Sequence, residues 1–334
     1  MTDPSVAAII VSWNHRHLLP DCLEALLAQR YSPLTVVVVD NGSRDGSAEW
    51  LARSYPSICL WAFPDNRGFS KALNWGVRRV GADCILSLNP DVKMRDQFVA
   101  ELVQALYQDD RIGMAAPKLL RADEPTTLDS TGLFIDRRRR PYDRGQGQID
   151  QGQYDNQLQV FGACGAAAMY RQAMLDDLAP DGEYFDEDLF AYYEDADLAW
   201  RAQARGWRGT YAPRAVASHD RGWGDTLRKR GHAAKGGSGP RLALRNRYLV
   251  TIKNDSLGYF LKDLPLILAA ELPRLAYAAV TRPAILCGLV DLVRLWPSAM
   301  RRRRQIRRRR TVDPAVVRRW FVAPARSGGE GDRR

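Results

Sequence analysis

The sequence predicts an α/β protein in which a mostly parallel sheet carries helices on both faces. Short apolar runs alternate with amphipathic stretches between residues 6 and 108, as in strands connected by crossover helices. Polar residues typical of turns follow these runs directly, at the strand ends where parallel sheets bind ligands. The chain has 334 residues, 46% of them apolar, which is enough for one large core or for a domain with an appendage.

The individual elements are predicted from the spacing of the apolar residues. Strands are predicted at 6–12, 34–40, 57–63 and 83–88, and helices at 18–29, 47–54, 69–80 and 97–108. Further along we predict a strand at 160–170, a helix at 194–206, one or two short strands at 207–217 leading to His219, and a helix at 241–253. The stretch 120–160, with an arginine run at 137–140, predicts a hairpin and loop excursion. The glycine-rich stretch 222–239 predicts a mobile loop.

The positive charge of the chain is concentrated near its C-terminus. Residues 256–334 contain 17 Lys and Arg against 6 Asp and Glu, whereas residues 1–255 contain 32 against 33. The first part therefore has the charge balance of an ordinary soluble domain, and the last part that of a segment which meets a polyanionic surface. We accordingly predict a catalytic domain at 1–255, basic membrane-associating helices at 256–312 and a disordered basic tail at 313–334.

Residues 256–312 predict amphipathic helices that lie in a membrane interface. Charged residues interrupt the apolar runs, so that none approaches the roughly 20 residues of a spanning helix. Two arginine runs, at 301–304 and 307–310, follow the apolar stretches and favour an anionic membrane surface as partner. A solvated arginine tail on packed surface helices is the alternative. Nucleic-acid binding ranks third, because nucleic-acid surfaces more often interleave stacking aromatic residues with the basic ones.

The cysteines and the start of the chain bear on the cellular compartment. The five cysteines are scattered and form no Cys-x-x-Cys pair, which argues against a zinc site or a disulfide framework and indicates a reducing compartment. No basic segment precedes the first apolar run, so we expect no secretory signal. These features predict a cytoplasmic protein that associates peripherally with the inner face of the cell membrane.

Three carboxylates stand within four residues at the predicted start of a helix, namely Glu194, Asp195 and Asp197. The helix dipole favours acidic residues in a first turn, so capping alone could explain them. Two further aspartates, Asp40 and Asp91, follow predicted strands. The combination favours an enzyme, because a helix-start carboxylate facing strand-end carboxylates unites a general base with a metal–diphosphate site.

The other polar motifs each have a structural and a functional interpretation. Asp40 begins a run of turn residues that could be only a strand–helix connection, or could place its carboxylate against a pyrimidine base. Asn66 and Gly68 could cap a helix or form a backbone nest near a phosphorylated ligand. Asp91 is well placed to hold a divalent cation through oxygen. His219 alone is a weak signal, since a lone histidine more often makes a structural hydrogen bond.

Taken together, these motifs resemble the family-2 glycosyltransferases, which have the GT-A fold. The matching segments are 9–14, 39–47, 66–69, 88–92 and 194–198, and the resemblance covers about residues 6–254. It implies a nucleotide-diphospho-sugar donor, a Mg²⁺ or Mn²⁺ ion and inversion at the anomeric carbon.

The resemblance also implies roles for particular residues. Asp195 would be the general base, with Glu194 beside it near the acceptor or the donor sugar. Asp91 and His219 would hold the metal. The residues implied in nucleotide-sugar binding are Ser12, Trp13, Asn14, Asp40, Asn66, Gly68, Asn74, Asn89 and Asp91.

One departure from the family pattern concerns the donor. The first aspartate of the family's Asp-x-Asp motif is Asn89 here, which removes one negative charge beside the ribose and the metal. The Asn-Pro-Asp form and the basic amphipathic tail resemble bacterial rhamnosyltransferases of cell-surface polysaccharides. The implied function is transfer from dTDP-L-rhamnose, or otherwise from a UDP-hexose, to a hydroxyl of a lipid-linked glycan acceptor.

Two other classes of protein remain as alternatives. Sugar nucleotidyltransferases share a related fold, but they begin with a glycine-rich loop after the first strand, and residues 12–16 contain no glycine. A non-catalytic membrane or nucleic-acid adaptor could use the arginine-rich segment, but it would have no use for carboxylates at three separate sites.

Overall fold

The protein is described here by a computed structural model of residues 3–179, 181–220 and 238–322. The strands are β1 Val6–Ser12, β2 Leu34–Asp40, β3 Cys59–Ala62, β4 Cys84–Leu88, β5 Val92–Met94, β6 Ile112–Arg121, β7 Leu128–Ser130, β8 Leu133–Ile135, β9 Pro141–Asp143, β10 Gln159–Val160, β11 Ala167–Arg171 and β12 Arg208–His219. The helices are α1 Leu19–Leu27, α2 Ser47–Ser54, α3 Phe69–Val77, α4 Phe98–Leu106, α5 Gln172–Leu178, α6 Glu194–Ala204, α7 Gly239–Asn254, α8 Leu257–Thr281, α9 Cys287–Arg309 and α10 Pro314–Arg318.

The central sheet has ten strands, and its main path runs β10-β12-β6-β11-β4-β1-β2-β3. β1 pairs in parallel with β2 and with β4, so these strands end at the same edge, where Ser12 is the register partner of Asp40. β11 lies antiparallel between β4 and β6. The sheet is therefore parallel in the half that carries Ser12 and Asp40 and mixed in the other half, where β12 ends at His219.

Apolar side chains cover both faces of the sheet, as expected for strands buried on two sides. Alternate residues of β1 enter different cores, Ile9 on one face and Ile10 on the other. Helices α3, α6 and α7 contribute to the core that contains Ile9, and α1, α2 and α4 contribute to the other. The predicted α/β class with helices on both faces is confirmed.

Two predicted strands differ from the observed ones. The predicted strand 160–170 is two strands, β10 and β11, because the intervening residues turn out of the sheet and Gly162 pairs with Leu133 instead. Where one or two short strands were predicted at 207–217, the structure has one strand of 12 residues, β12, with an irregularity in its register between Ala212 and Val216. The predicted loop 222–239 falls almost entirely on residues 221–237, outside the part of the chain that the structure describes.

The C-terminal helices are longer and less interrupted than the sequence indicated. Leu257–Thr281 and Pro283–Arg309 are both long and apolar enough to cross a membrane by length and composition, and 11% of each apolar window is buried. The expectation that no segment reaches spanning length is therefore wrong. Prolines at 265, 273 and 297 lie inside these helices without ending them.

The prediction that residues 313–334 form a disordered tail is wrong for 313–322. Val317 and Phe321 are buried in the core. Phe321 bridges to Ile135 of β8, and the indole N–H of Trp320 donates to Oε1 of Gln203 at 3.1 Å. Burial of these apolar side chains stabilises an ordered position in spite of the basic composition. Residues 323–334 lie outside the described part.

Candidate active site

The ends of β1 and β2 form the first part of the site. Ser12 and Asp40 are both buried there, and the Ser43 N–H donates to Oδ1 of Asp40 at 2.9 Å. Oδ2 of Asp40 and Oγ of Ser12 are buried without a hydrogen-bond partner among the residues that the structure describes. Buried polar atoms are usually paired in native proteins. Both atoms therefore suit contacts with a polar ligand such as a nucleotide base.

The two residues after Ser12 differ in their surroundings. Trp13 is exposed. Asn14 adopts a left-handed conformation, with φ of 57°, and its Oδ1 accepts the Arg44 N–H at 2.7 Å. The Asn14 N–H donates to Oγ of Ser43 at 2.8 Å. Asn14 thus holds the turn after β2 in place beside Asp40, although both Trp13 and Asn14 are exposed.

Asn66 and Gly68 fix the entry to α3. Oδ1 of Asn66 accepts from Nδ2 of Asn41 at 3.1 Å and from the Gly68 N–H at 2.9 Å. Gly68 has φ of 88°, and a Cβ there would lie 2.7 Å from the Phe190 ring. Glycine is required because the loop at Phe190 packs directly against this backbone. The Gly68 N–H is already used inside the chain.

The prediction that Asn74 binds the nucleotide sugar is wrong. The side chain has no exposed surface. Its Oδ1 accepts the Phe185 N–H at 2.9 Å, and its Nδ2 donates to the Phe185 carbonyl at 2.7 Å and to Glu187 at 3.2 Å. Asn74 therefore anchors the segment that leads into α6, and its polar atoms are occupied by that role.

The turn after β4 brings Asp91 to His219, although 127 residues separate them along the chain. Nε2 of His219 lies 3.5 Å from Oδ1 of Asp91, and its Nδ1 lies 2.7 Å from Oδ2 of Asp129. Burial lowers the pKa of His219, but the bonds to Asp129 and Asp91 outweigh burial and raise it to about 9. Asp129 was missed at the sequence level, where its only signal is a carboxylate in an apolar strand.

This arrangement fits a divalent cation only with help from a ligand. Among the described residues no group of three or more His, Cys, Asp or Glu side chains could hold a metal ion. Asp91 and His219 nevertheless face each other, and a carboxylate holds the second ring nitrogen, as is usual for metal-binding histidines. These two residues could therefore supply two ligands, and diphosphate oxygens could supply others.

The turn at 164–166 connects the Asn89 side of the site to the helix-start carboxylates. The Asn89 N–H donates to the Ala166 carbonyl at 2.8 Å, and the adjacent Gly165 N–H donates to Oδ2 of Asp195 at 2.9 Å. Asn89 and Asp195, two of the predicted site residues, thus bond to two consecutive residues of the same turn.

Glu194 and Asp195 are the first two residues of α6. Burial raises the pKa of Glu194, and the neighbouring Asp195 raises it further. Burial also raises the pKa of Asp195, the N–H groups of Gly165 and Ala196 lower it, and the charge of Asp143 raises it again. The pair therefore binds a proton at higher pH than ordinary carboxylates, a property typical of groups that exchange protons in catalysis.

Asp197, the third carboxylate, points away from this pair into the protein. It accepts from Arg201 at 3.0 Å and from Asn254 at 2.8 Å, and Nζ of Lys253 lies 2.9 Å away. Burial alone would raise the pKa of Asp197, but Lys253 and Arg201 outweigh it and hold the pKa well below its usual range. Asp197 is a charged structural residue that fastens α6 to α7.

The segment 189–193, here called the catalytic loop, is held in an unusual conformation. Phe190, Tyr192 and Tyr193 have φ of 65°, 72° and 72°, which costs of order 1–3 kcal/mol for each such residue. Nδ2 of the fully buried Asn246 lies 2.8 Å from the carbonyls of Leu189, Ala191 and Tyr192. Helix α7 therefore positions the loop that precedes Glu194, which sequence reasoning did not foresee.

The fold and this site define a class of protein. A parallel half-sheet with Asp40 and Asp91 at its strand ends, connected to a carboxylate pair at a helix start, is the GT-A architecture of nucleotide-sugar glycosyltransferases. The sequence profile described as "Glycosyl transferase family 2" matches residues 7–179. Since this is more than half of the chain, the chain belongs to that family, and the resemblance drawn from its motifs is confirmed. The match includes Asp40 and Asp91 and ends before Glu194.

Characterised relatives are distant. The chain is 24% identical over 255 residues to N-acetylglucosaminyl-diphospho-decaprenol L-rhamnosyltransferase of Mycobacterium tuberculosis, covering 66% of this chain and 76% of the relative. It is 20% identical over 217 residues to poly-beta-1,6-N-acetyl-D-glucosamine synthase of Staphylococcus aureus, covering 63% of this chain. The match spans about half of the latter protein, 48% of its length.

Two solved structures share the fold. The mannosyltransferase PcManGT from Pyrobaculum calidifontis, in complex with GDP-Man and Mn²⁺, superposes with a TM-score of 0.53 and 19% identity over 92% of this chain and 87% of that one. GalNAc-T7 with UDP, GalNAc and Mn²⁺ gives a TM-score of 0.56 and 12% identity over 75% of this chain and 48% of that one. At these identities the likeness concerns the fold, and it confirms the GT-A prediction.

Proposed function

We propose that this protein is an inverting, metal-assisted glycosyltransferase of cell-envelope polysaccharide synthesis. It would move a sugar from a nucleotide-diphospho-sugar donor to a hydroxyl of a lipid-linked glycan. The first candidate donor is dTDP-L-rhamnose, and the second is a UDP-hexose. The observation that carries this proposal is the position of Asp195. Its carboxylate is held by Gly165 beside the Asn89 turn, and its pKa is raised by burial.

In this proposal the residues of the chain act through proton transfer and orientation. Asp195 accepts the proton of the acceptor hydroxyl while that oxygen attacks the anomeric carbon from the face opposite the diphosphate, which inverts its configuration. A well-placed general base contributes about 10²–10⁴-fold to the rate. Asp40 and Ser12 bind the base of the nucleotide. Asp91 and His219 would hold Mg²⁺ or Mn²⁺, which when bound neutralises the leaving diphosphate.

The relatives support the proposed substrates. The name of the M. tuberculosis relative describes rhamnosyl transfer to a sugar joined through a diphosphate to decaprenol. The two structural neighbours hold a nucleotide or a nucleotide sugar together with Mn²⁺. These names concern other proteins. For this chain they make a lipid-linked acceptor and a divalent metal the first candidates to test.

We place the protein peripherally at the cytoplasmic side of the membrane, and the exposed surface of α8 supports the contact with a membrane. Asp263, Ile267 and Glu271 recur every four residues and are buried against the domain. Large apolar side chains elsewhere on α8 are exposed, namely Leu257, Leu261, Leu266, Leu268, Leu272, Tyr277 and Val280. A helix whose acidic residues are buried against the domain while large apolar residues are exposed is suited to lie flat on a bilayer.

A donor screen tests the proposed activity. We expect dTDP-L-rhamnose with Mn²⁺ to give the largest rise in melting temperature among dTDP-, UDP- and GDP-sugars, and to be consumed with a prenyl-diphosphate-linked N-acetylglucosamine as acceptor. Asp195→Asn keeps the shape of the side chain and should abolish transfer while donor binding persists. A larger rise in melting temperature with a UDP-hexose would identify that sugar nucleotide as the donor instead. Normal turnover by Asp195→Asn, or neither binding nor consumption of any donor, would refute the proposal.

A further inference from the structure

Three arginines surround a single carboxylate where α8 meets the catalytic domain. Nη2 of Arg140, from the β8–β9 turn, donates to Oε1 of Glu271 at 3.1 Å, and Nη1 of Arg274 donates to the same oxygen at 3.4 Å. Arg247 of α7 contacts Oε2, which also accepts the Tyr248 hydroxyl at 2.9 Å. We call Arg140, Arg247 and Arg274 the arginine cluster. Glu271 balances one of its three charges, so the cluster has an excess of positive charge.

The arginine cluster has unused hydrogen-bond donors. Arg247 is 4% exposed, yet its Nη1 has no hydrogen-bond partner in the described ranges, and Nε of Arg140 is likewise buried and unpartnered there. The Arg274 side chain is 53% exposed and opens the cluster to the outside. Buried guanidinium donors without acceptors are costly. An anion with several oxygens, such as a phosphate or diphosphate, would satisfy them through charge-assisted bonds.

The arginine cluster lies beside the catalytic carboxylates. Arg247 directly follows Asn246, whose side chain donates to the Tyr192 carbonyl in the catalytic loop. The β8–β9 hairpin that carries Arg140 ends at Asp143, which is close enough for its charge to act on Asp195. On the other side of the cluster, α8 exposes apolar side chains to the outside, among them Leu268 and Leu272.

We propose that the arginine cluster binds the diphosphate that joins the acceptor sugar to its lipid. The sugar then extends toward Asp195, and the lipid chain lies along the exposed apolar face of α8. This assignment rests on the proposed function for the identity of the acceptor. It gives Arg140, the last residue of the arginine run at 137–140, a place in acceptor recognition.

A binding experiment on the full chain in detergent tests the site without requiring transfer. Farnesyl diphosphate and farnesol are the probes, and binding is followed by intrinsic tryptophan fluorescence. Loss of a charge-assisted contact in Arg274→Gln should weaken binding of farnesyl diphosphate about tenfold or more and leave farnesol binding unchanged. The matched control is Arg282→Gln at the exposed end of the same helix, which should behave as the parent. Equal affinity for the two probes, or equal losses in both variants, would refute the site.

Kinetics then separate the site from the proposed function. With a prenyl-diphosphate-linked sugar as acceptor, Arg274→Gln and Arg140→Gln should raise KM for the acceptor and leave KM for the donor unchanged. The effect should disappear with the same sugar on an alkyl chain that lacks phosphate. A higher donor KM instead would assign the cluster to the donor diphosphate and overturn the proposal. If no acceptor is glycosylated while the farnesyl diphosphate result holds, the transfer proposal fails and the anion site stands.

Discussion

Asp195 and Asp197 lie two residues apart on one helix and have opposite electrostatic surroundings. Lys253 and Arg201 stabilise the charged form of Asp197, whose pKa is held low. At Asp195, by contrast, burial and the negative charge of Asp143 raise the pKa. Position in the helix therefore does not decide the role of a carboxylate here. The partners that the tertiary structure supplies to each side chain decide it.

The pH dependence of activity should report the raised pKa of the Glu194–Asp195 pair. A general base works only when it is deprotonated, so kcat/KM should rise with pH. The midpoint of this rise should lie above the pKa of an ordinary aspartate, which is about 4. In Asp143→Asn the loss of a nearby negative charge lowers the pKa of Asp195, and the midpoint should move to lower pH. Asp143→Glu keeps the charge and serves as the control. An unchanged midpoint in Asp143→Asn would remove Asp143 from this role.

Metal binding should depend on Asp129 through His219. In Asp129→Asn the ring loses its charged partner, so the affinity for Mn²⁺ should fall about 10–100-fold, the usual effect of removing such a support. Calorimetric titration of Mn²⁺ in the presence of dTDP measures this effect, and Asp91→Ala should cause a larger loss. Nucleotide binding without metal should stay the same in both variants. Parent-like Mn²⁺ affinity in Asp91→Ala would show that Asp91 is only a strand-end residue.

At the level of elements, α7 connects the catalytic loop to the C-terminal helices. Asn246 and Arg245 bond the backbone of residues 188–192. α7 and α9 also pack closely, and Arg241 of α7 pairs with Asp291 of α9 at 2.6 Å. The C-terminal helices thus contact α7, which in turn bonds the loop that precedes the proposed general base.

Removing the Asn246 side chain should loosen the catalytic loop. Each bond contributes about 0.5–1.5 kcal/mol, and the strained residues of the loop depend on such support. We expect Asn246→Ala to lower kcat at least tenfold, with little change in the donor KM, because the strand-end donor site is untouched. The control is Thr251→Ala on the same helix, whose hydroxyl bonds within α7. If both variants lose stability and kcat in parallel, Asn246 has only a structural role.

On the scale of the whole molecule, residues 256–322 of the C-terminal segment are fastened to the domain by ion pairs and core contacts. Asp263 of α8 pairs with Arg139 and Arg318, and Phe321 packs in the core beside Trp200. Several arginines of the basic segment pair with carboxylates of the catalytic domain, as Arg302 does with Glu183. The excess charge of +11 in residues 256–334 is therefore partly used inside the protein. Other arginines of this segment are exposed, among them Arg301, Arg304 and Arg308.

Membrane binding should have an apolar component and a salt-sensitive one. Exposed arginines each contribute up to about 1 kcal/mol near an anionic surface, and salt screens this contribution. Leu261 and Leu272 are 55% and 59% exposed, and replacing both by Gln should reduce binding to anionic liposomes at least about tenfold. Ile149→Gln, an exposed apolar position in the 120–160 excursion, is the control. Co-sedimentation measures the effect.

The same liposomes distinguish a peripheral protein from a spanning one. A protein that lies on the surface should be released by alkaline carbonate, whereas a protein whose α8 and α9 cross the bilayer should remain. Retention after carbonate extraction would contradict the peripheral arrangement and would require the pairs of Asp263 and Glu271 with the domain to break.

Local patterns in the chain were sufficient for the first half of the fold and for the strand-end positions of several candidate site residues. Val6–Ser12, Leu34–Asp40 and Ser47–Ser54 were predicted to the residue, because strand alternation and helix periodicity act over a few neighbouring positions. The strand-end positions of Asp40 and Asp91 followed from the same elements. A family pattern of short motifs then connected them to Glu194 and Asp195.

Contacts between residues far apart in the chain accounted for what the sequence left open or misassigned. Asn74 is an anchor because Phe185 lies against it, and Asp129 matters because β12 brings His219 to it. The order of residues 313–322 depends on the Phe321 bridge to β8. Whether a polar side chain serves a ligand or the fold depends on which distant groups fill its hydrogen bonds. That pairing is set by the packing of distant segments, and it cannot be predicted from composition or periodicity.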